Sequence, residues 1–313
     1  MSTGVSTILI TGASGRIGSM LRTRLARPGR TLRLLDVVPP PPLVPPPLVP
    51  PPLVPPPLVP PPLVPPPVVP PPLVPADSAG RPAGVAEEVV LASVTDLAAV
   101  TEASAGADAV IHLAGLAGEA PWERILEVNI HGAYTVFEAA RRAGVPRVIF
   151  ASSNHAVGFT PRSAFPVPDY AFPAPDTYYG VSKVAAEGLA ALYHHRYGLD
   201  TICIRILTCF ERPENVRALS TWLSPDDAGR LFEACLAAER PGFRVIFGVS
   251  ANTRGGWVSL DGARALGYEP RDDAEAYAAE VIASHGEPDP ADPVLAYLGG
   301  EFTRPDLDAD HLT

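Results

Sequence analysis

The sequence predicts an α/β fold in which helices cover both faces of one doubly wound parallel sheet. Apolar, strand-like runs alternate with helix-like stretches along most of the chain. A glycine-rich turn follows the first strand, and an acidic residue ends the second. The alternation indicates βαβ units. The glycine-rich turn and the acidic residue together are typical of a Rossmann-type sheet that binds a dinucleotide.

The elements follow from the spacing of apolar residues and from the residues that start and stop helices. Strands are predicted at 7–11, 31–35, 89–92, 109–113, 147–152, 201–206 and 244–248. Helices are predicted from the glycine-rich turn to Leu25 and at 97–104, 122–143, 179–197, 225–238 and 272–284. Asp96 is expected to be the N-cap of the second helix.

The glycine-rich turn is Gly12-Ala13-Ser14-Gly15-Arg16-Ile17-Gly18. Glycines allow a tight turn and let a pyrophosphate approach the helix N-terminus, where free N–H groups favour negative charge. Asp36 stands close to the ~20-residue offset of a carboxylate that binds ribose hydroxyls. Because Val37, Val38 and prolines, and no basic residue, directly follow Asp36, the sequence favours NAD over NADP. The alternative interpretation is a glycine turn without a ligand.

The strand at 147–152 runs into a polar cluster, Ser152-Ser153-Asn154-His155. Ligands of open parallel sheets bind beyond the carboxyl ends of the strands, so these side chains are site candidates. Ser153 is expected to donate a hydrogen bond to a reacting oxygen. The alternative is that such serines satisfy only local backbone groups.

Tyr179 and Lys183 are four residues apart and so share one face of the next predicted helix. An ammonium near a phenol favours the phenolate and lowers a pKa that is ordinarily ~10. A tyrosine prepared in this way removes a proton from an alcohol. The spacing alone also occurs by chance on solvated helices, but the glycine turn and the strand-end serine favour the catalytic interpretation.

Together these residues resemble the extended short-chain dehydrogenase/reductase family and, within it, the branch of uronate dehydrogenases. The similarity covers nearly the whole chain outside one insertion. Further matching positions are His112-Leu113-Ala114-Gly115, Asn129, and Arg217 upstream of Leu219-Ser220-Thr221-Trp222-Leu223-Ser224. The resemblance implies that NAD oxidises a ring-form aldohexuronate, glucuronate or galacturonate, at C1 to the aldarolactone.

The resemblance also implies a role for each matching position. Tyr179 would take the proton of the anomeric hydroxyl, while Lys183 binds the nicotinamide ribose and lowers the pKa of Tyr179. The implied substrate contacts are Ser153, Asn154, His155, Thr208 and Arg217. The implied cofactor contacts are Gly12, Ser14, Gly15, Arg16, Ile17, Gly18, Asp36, Ser93, Val94, Leu113, Ala114, Gly115, Lys183 and Cys209. One domain over residues 1–313 is expected, with the substrate region mainly at 207–313.

Arg217 is expected to clamp the substrate carboxylate. A guanidinium meets a carboxylate with two charge-assisted hydrogen bonds, and so it selects an acid over a neutral sugar. Without the resemblance, a solvated arginine is the simpler interpretation.

Two positions depart from the family pattern. Ala117, a substrate position, stands where the family has a serine, so one substrate hydrogen bond is lost. Ser93 stands where an aspartate commonly contacts the adenine amino group. A serine oxygen accepts the same hydrogen bond without charge, so NAD binding is expected to survive.

Seven tandem Pro-Pro-Pro-Leu-Val pentads, with Val68 as the single variant, occupy residues 40–74. Proline lacks the N–H and fixes φ, so residues 39–75 are predicted to be an extended or disordered insertion between the second and third strands. The five-residue period does not match the three residues per turn of polyproline II, so Leu and Val form no single apolar stripe. A longer surface loop costs little chain entropy. The alternative is a ligand for a proline-binding domain.

Composition favours a soluble cytoplasmic enzyme. The net charge of −10 argues against nucleic acid and anionic membranes as partners, because phosphate contacts need clustered Lys and Arg. Cys203, Cys209 and Cys235 match no metal or disulfide spacing, so no metal is expected. Neither a signal peptide nor an apolar run of ~20 residues is expected. The expected partners are a small uronic acid and further copies of the chain in a homo-oligomer.

Three functions stay open on the sequence alone. The first is NAD-dependent oxidation of a uronate. The second is a nucleotide-sugar epimerase or dehydratase of the same fold, in which Arg217 would face a diphosphate. The third is a non-catalytic NAD-sensing or scaffold protein that docks through the proline repeat. The joint presence of Ser153, Tyr179 and Lys183 argues against the third, because a sensor needs no proton acceptor.

Overall fold

A single twisted sheet organises the chain, for which a computed structural model describes residues 6–42, 74–75, 85–289 and 292–307. Within these residues the strand order is β3-β4-β2-β1-β5-β6-β7-β8. The strands are β1 Thr7–Thr11, β2 Thr31–Asp36, β3 Val74–Pro75, β4 Ala86–Leu91, β5 Ala109–His112, β6 Arg147–Ser153, β7 Asp200–Ile206 and β8 Phe243–Gly248. Every neighbouring pair is parallel except β3 with β4. The prediction of a doubly wound parallel sheet is confirmed.

Helices connect the strands and start where capping residues allow. In the described residues they are α1 Arg16–Leu25, α2 Leu97–Ser104, α3 Trp122–Arg124, α4 Gly132–Ala143, α5 Tyr178–Tyr197, α6 Ala218–Thr221, α7 Pro225–Ala237, α8 Asp261–Ala265 and α9 Ala278–His285. The Asp96 carboxylate accepts hydrogen bonds from the Ala98 and Ala99 N–H groups, both at 3.0 Å, so the predicted N-cap is confirmed. No helix in the described ranges is long and apolar enough to cross a membrane.

The two faces of the sheet bury separate apolar clusters, because successive strand residues point to opposite sides. On one face, Ile8 and Ile10 pack with residues of α1 and α7. On the other face, Leu9 packs with residues of α2, α4 and α5. This alternation explains why the strands read as continuous apolar runs, as expected for a parallel sheet covered on both sides.

Two predicted boundaries were wrong for physical reasons, and one predicted helix is interrupted. β4 begins at Ala86 rather than 89, since the charged Glu87 is buried in an ion pair with Arg22 at 3.0 Å. The helix predicted at 122–143 is interrupted by a π-helical stretch, Ile125–His131. The helix predicted at 272–284 begins later, as a 3₁₀ turn at Ala274–Tyr277 that leads into α9, because Asp273 caps it and Asp272 is held by Asp227.

The proline-rich insertion ends in an edge strand. Val74–Pro75 pairs antiparallel with β4, an edge position in which a strand tolerates proline. At the other end, the Pro41 carbonyl accepts a hydrogen bond from Arg22 Nη1 at 2.7 Å. The polyproline II conformation predicted for the repeat lies on residues 43–73, outside the described residues.

The C-terminal third adds two smaller apolar clusters beside the sheet. One includes Val157, Phe247, Trp257, Leu295 and Leu298, and so joins the segment after β6 to the end of the chain. The other includes Leu219 and Trp222 with residues of α9. These clusters bring residues near 155, 217 and 298 together at the carboxyl ends of β6 and β7.

Candidate active site

A cavity of about 610 Å³ opens at the carboxyl ends of β1, β2, β4 and β5. Twelve of the predicted cofactor residues line it: Gly12, Ser14, Gly15, Arg16, Ile17, Gly18, Asp36, Ser93, Val94, Leu113, Ala114 and Gly115. Ala117, predicted to contact substrate, also lines this cavity, whereas Lys183 and Cys209 do not. A cleft at this edge is where doubly wound sheets bind dinucleotides.

The glycine turn fits a phosphate group for steric and electrostatic reasons. A Cβ atom on Gly12, which has φ +72°, would lie 2.6 Å from the Ala114 nitrogen, and one on Gly18 would overlap the Gly12 carbonyl oxygen. Only glycine therefore allows the turn to pack this closely. The first turn of α1 has no side-chain cap and no acidic residue, so its N-terminal N–H groups stay available to an anion.

Asp36 connects the turn to the end of β2. Its carboxylate accepts hydrogen bonds from the Ser14 N–H at 2.9 Å and the Val37 N–H at 2.7 Å. Two carboxylate oxygens have about four acceptor sites, so this group still has capacity for ribose hydroxyls. Val37 and Val38 line the cavity beside it and offer no positive charge to a 2′-phosphate.

Tyr179, Lys183 and Ser153 lie together below the cavity. Tyr179 and Lys183 are on α5 and buried, and Ser153 ends β6. The Ser153 hydroxyl lowers the pKa of the Tyr179 phenol, and it accepts a hydrogen bond from the His155 N–H at 3.2 Å. The Lys183 Nζ donates to the Ala151 carbonyl at 2.8 Å and lies 5.3 Å from the centre of the Tyr179 ring. Since Ala151 lines the cavity, its contact with Lys183 places this ammonium next to the cofactor cleft.

The expected lowering of the Tyr179 pKa is wrong. Burial raises the pKa of Tyr179 to about 12; the Ser153 hydroxyl lowers it, and the Asp176 charge raises it further. Burial likewise lowers the pKa of Lys183 to about 8, against the opposing effect of Glu187. Removing the phenol and the ammonium from water disfavours both charged forms, an effect that helical spacing does not reveal.

His155 is held between a carboxylate and two aromatic rings. Its Nδ1 lies 2.7 Å from an oxygen of the buried Asp176. Its ring centre is 5.7 Å from that of Tyr179 and 4.1 Å from that of Phe302. The imidazole therefore lies beside the phenol in a fixed orientation.

Arg217 is a partly buried cation next to this group. Its Nη1 donates to Thr208 Oγ1 at 3.2 Å and its Nη2 to the Leu298 carbonyl at 2.5 Å. Within the described ranges it has no ion-pair partner, and its buried Nε has no hydrogen-bond partner. Burial lowers the pKa of Arg217 to about 10, opposed by the charges of Asp176 and Glu301. A guanidinium in this state is suited to an external anion.

The Leu298 carbonyl connects Arg217 to the strand-end cluster. It also accepts a hydrogen bond from the Asn154 amide at 3.1 Å. The predicted substrate residues Ser153, Asn154, His155, Thr208 and Arg217 thus form one contiguous group, while Ala117 lies in the cofactor cavity.

Cys209 lies in the apolar core rather than on the cavity surface. It is buried, and burial raises the pKa of its thiol to about 12. The neighbouring Phe210 ring covers the Arg16 guanidinium at 3.7 Å. The loop after β7 therefore reaches the cofactor turn through Phe210, next to the predicted residue.

Several residues of this region were missed from the sequence. They are Asp176 and Phe302 beside His155, Trp257 near the Arg217 guanidinium, the Leu298 carbonyl, Glu119 at the start of α5, and Arg124, Glu127 and Val128 on the cavity wall. Asp176 had a local signal, because it directly precedes the N-cap of α5, Thr177. The Gly299-Gly300 pair before Phe302 was a second signal of close packing.

Comparisons with known proteins agree with this geometry. The model of the NAD dependent epimerase/dehydratase family matches residues 8–215. A uronate dehydrogenase of Pseudomonas putida is 38% identical over 303 residues, which cover 96% of this chain and 97% of that protein.

Solved structures are similar over almost the whole chain. A glucuronic acid dehydrogenase from Chromohalobacter salexigens is 35% identical, with a TM-score of 0.77 and coverage of 96% of this chain and 97% of that one. A mutant of uronate dehydrogenase from Agrobacterium tumefaciens, complexed with NAD, is 36% identical, with a TM-score of 0.77 and coverage of 95% and 97%. The resemblance seen in the motifs is thereby confirmed: the chain belongs to the NAD dependent epimerase/dehydratase family.

Proposed function

We propose that the chain oxidises an aldohexuronate at C1 with NAD as the hydride acceptor, giving the aldarolactone and NADH. One observation carries the proposal. Arg217, a partly buried guanidinium without an ion-pair partner in the described part of the chain, is joined through the Leu298 carbonyl to Asn154. Asn154 follows Ser153, whose hydroxyl lowers the pKa of the Tyr179 phenol. An anion site next to a proton acceptor suits a sugar acid, and relatives that are uronate dehydrogenases support it.

The cavity residues fit NAD. The Gly12–Gly18 turn and the uncapped start of α1 would hold the pyrophosphate, and Asp36 the adenosine ribose. Ser93 and Val94 would lie against the adenine, and Leu113, Ala114 and Gly115 along the other end of the cavity. Phe210, the residue after Cys209, stacks on the Arg16 guanidinium. Its ring would therefore close the cleft beside the glycine turn. When bound, NAD accepts the hydride that C1 releases.

Oxidation of a hydroxyl group at C1 releases one proton and one hydride. The Tyr179 phenolate oxygen would accept the proton from the anomeric hydroxyl. Ser153, which lowers the pKa of the phenol, would stabilise the phenolate oxygen of Tyr179 during the proton transfer. Lys183 lies one helical turn from Tyr179, so its ammonium would favour the phenolate while it binds the nicotinamide ribose.

The remaining side chains would hold the sugar. Arg217 would meet the carboxylate with two hydrogen bonds, and Thr208 would orient that guanidinium and contact the substrate. Asn154 and His155 would contact ring hydroxyls, whereas Ala117 offers no hydrogen bond. Assembly into a homo-oligomer and a cytoplasmic location are further predictions.

The direct test is production of NADH. We expect purified protein to reduce NAD with glucuronate or galacturonate, measured as absorbance at the NADH band, and to use NADP at least about 100-fold less efficiently. The Asp36 carboxylate would repel a 2′-phosphate without a neighbouring cation to compensate. Glucose and UDP-glucuronate serve as controls. No NADH from either uronate, or faster turnover of the nucleotide sugar, would contradict the proposal.

The pH dependence follows from the shared protons of Tyr179 and Lys183. The form with phenolate and ammonium carries as many protons as the form with phenol and neutral lysine, so the two are populated together once the pair has lost one proton. With the pKa of Lys183 lowered to about 8 and that of Tyr179 raised to about 12, this occurs near pH 8. We expect kcat/KM to rise about tenfold per pH unit below that point and to level off above it. A pH-independent kcat/KM between pH 6 and 8 would contradict this assignment.

A further inference from the structure

A carboxylate behind the proposed site is enclosed completely. The Asp176 side chain has no exposure to solvent. One of its oxygens lies 2.7 Å from His155 Nδ1, and the other accepts a hydrogen bond from Thr177 Oγ1 at 3.0 Å. A buried charge of this kind costs free energy unless its partners compensate, so its contacts are the place to look for its effect.

Three glycines leave the space that this carboxylate occupies. A Cβ atom on Gly158 or Gly299 would overlap an Asp176 oxygen, and a Cβ on Gly180 would lie 3.1 Å from the other. Gly158 has φ −60° and Gly299 has φ −73°, so neither needs glycine for its backbone conformation. The packing of three separate segments around Asp176 therefore fixes its position against His155.

This contact determines what the imidazole offers to a ligand. A carboxylate is only an acceptor, so a neutral His155 must carry its proton on Nδ1, which leaves the Nε2 lone pair free to accept. The ring cannot turn away, because Phe302 lies 4.1 Å from it on one side and Tyr179 5.7 Å away on another. An acceptor held in place suits a sugar hydroxyl next to the reacting carbon.

The Asp176 charge also acts on two proposed site residues. It raises the pKa of Arg217 and so favours the guanidinium, and it raises the pKa of Tyr179 and so disfavours the phenolate. The second effect opposes catalysis by Tyr179. The shortest hydrogen bond of Asp176 is the one to His155 Nδ1, at 2.7 Å, so the favourable effect of this carboxylate is assigned to the imidazole.

We propose that Asp176 is a positioning residue that acts through His155: it fixes the Nδ1–H tautomer and the ring orientation, so that Nε2 accepts a hydrogen bond from a substrate hydroxyl. The proposal rests on the proposed function, because it names how that site recognises a sugar. Asp176 itself touches neither substrate nor cofactor.

Asp176→Asn tests the role, since an asparagine fits the same space but its amide can donate to Nδ1 and reverse the tautomer. We expect kcat/KM for glucuronate to fall about 10- to 100-fold, by analogy with the loss seen when the carboxylate or carbonyl that orients a metal-binding histidine is removed. NADH affinity, measured by fluorescence titration, and the Tm should change little. Asp169→Asn is the matched control, because Asp169 lies in the same connecting segment but accepts from Gly262 instead, at 2.9 Å.

A double-mutant cycle separates positioning from packing. If Asp176 acts through His155, Asp176→Asn lowers kcat/KM by less than about twofold in a His155→Gln background. Equal losses in both backgrounds, or an undiminished kcat/KM in the single variant, would overturn the proposal.

A readout independent of activity uses histidine-labelled wild-type protein. NMR should show a low-field imidazole proton on Nδ1, assigned to His155 by its absence in His155→Gln. A His155 protonated on Nε2 alone overturns the proposal even if Asp176→Asn fails to fold. Wild-type protein that makes no NADH would contradict the proposed function instead, while the NMR result still decides the tautomer.

Discussion

Tyr179→Phe is expected to lower kcat for uronate oxidation by about 10²- to 10⁴-fold, the usual contribution of a positioned general base. The substitution removes only the phenol hydroxyl, whose pKa Ser153 lowers, and keeps the buried ring that packs near His155 and Lys183. Because the substitution leaves Lys183 and every residue that lines the cofactor cavity unchanged, NAD binding should be unchanged. Stopped-flow or steady-state NADH absorbance gives kcat, and fluorescence titration gives the affinity for NADH.

Tyr193→Phe is the matched control. Tyr193 is also buried on α5, but it lies about 21 Å further along the helix, and its hydroxyl donates to Glu138 at 3.1 Å. Loss of this hydrogen bond to a charged carboxylate should cost about 1.5–3 kcal/mol of stability and leave kcat unchanged. A Tyr179→Phe variant that keeps wild-type kcat would remove the phenol from the mechanism, and an equal loss in Tyr193→Phe would indicate damage to α5 rather than to catalysis.

The elements that could be predicted from the sequence are those whose causes lie within a few residues. Asp96 caps α2 through N–H groups two and three residues away. The Gly12–Gly18 turn and Asp36 line one cavity because each directly follows or ends a strand of a parallel sheet. The same rule placed Ser153 at the end of β6. In each case local chemistry and the known geometry of βαβ units were sufficient.

The rest depended on contacts between segments distant in the chain. The Leu298 carbonyl accepts from Asn154 and Arg217, but a backbone carbonyl leaves no mark in the sequence. Phe302 packs on His155 only because the C-terminal segment folds back over the loop after β6. The direction of the pKa shift of Tyr179 could not be predicted either, since it depends on how completely the folded chain excludes water from the phenol.

Arg217→Met is expected to lower kcat/KM for glucuronate by about 30-fold to several thousandfold, because truncating one partner of a desolvated, hydrogen-bonded charge pair costs about 2–5 kcal/mol. Methionine keeps much of the length of the side chain but removes the charge and both donors. Oxidation of glucose, which has no carboxylate, should change little, so the ratio of the two kcat/KM values measures the effect. The kcat/KM of Arg217→Lys for glucuronate should lie between those of the wild type and Arg217→Met, since an ammonium keeps the charge but not the planar pair of donors.

The loss of Arg217 should affect substrate binding far more than the stability of the fold. Its guanidinium has no ion-pair partner in the described ranges, and burial disfavours its charge, so the Tm of Arg217→Met should not fall by more than a few degrees. Arg212→Met is the control, because Arg212 lies in the same loop with an exposed ion pair to Glu280 at 2.7 Å, a kind of pair that contributes at most about 1 kcal/mol. If Arg217→Met keeps the wild-type preference for glucuronate over glucose, the carboxylate is bound elsewhere and the uronate assignment loses its main support.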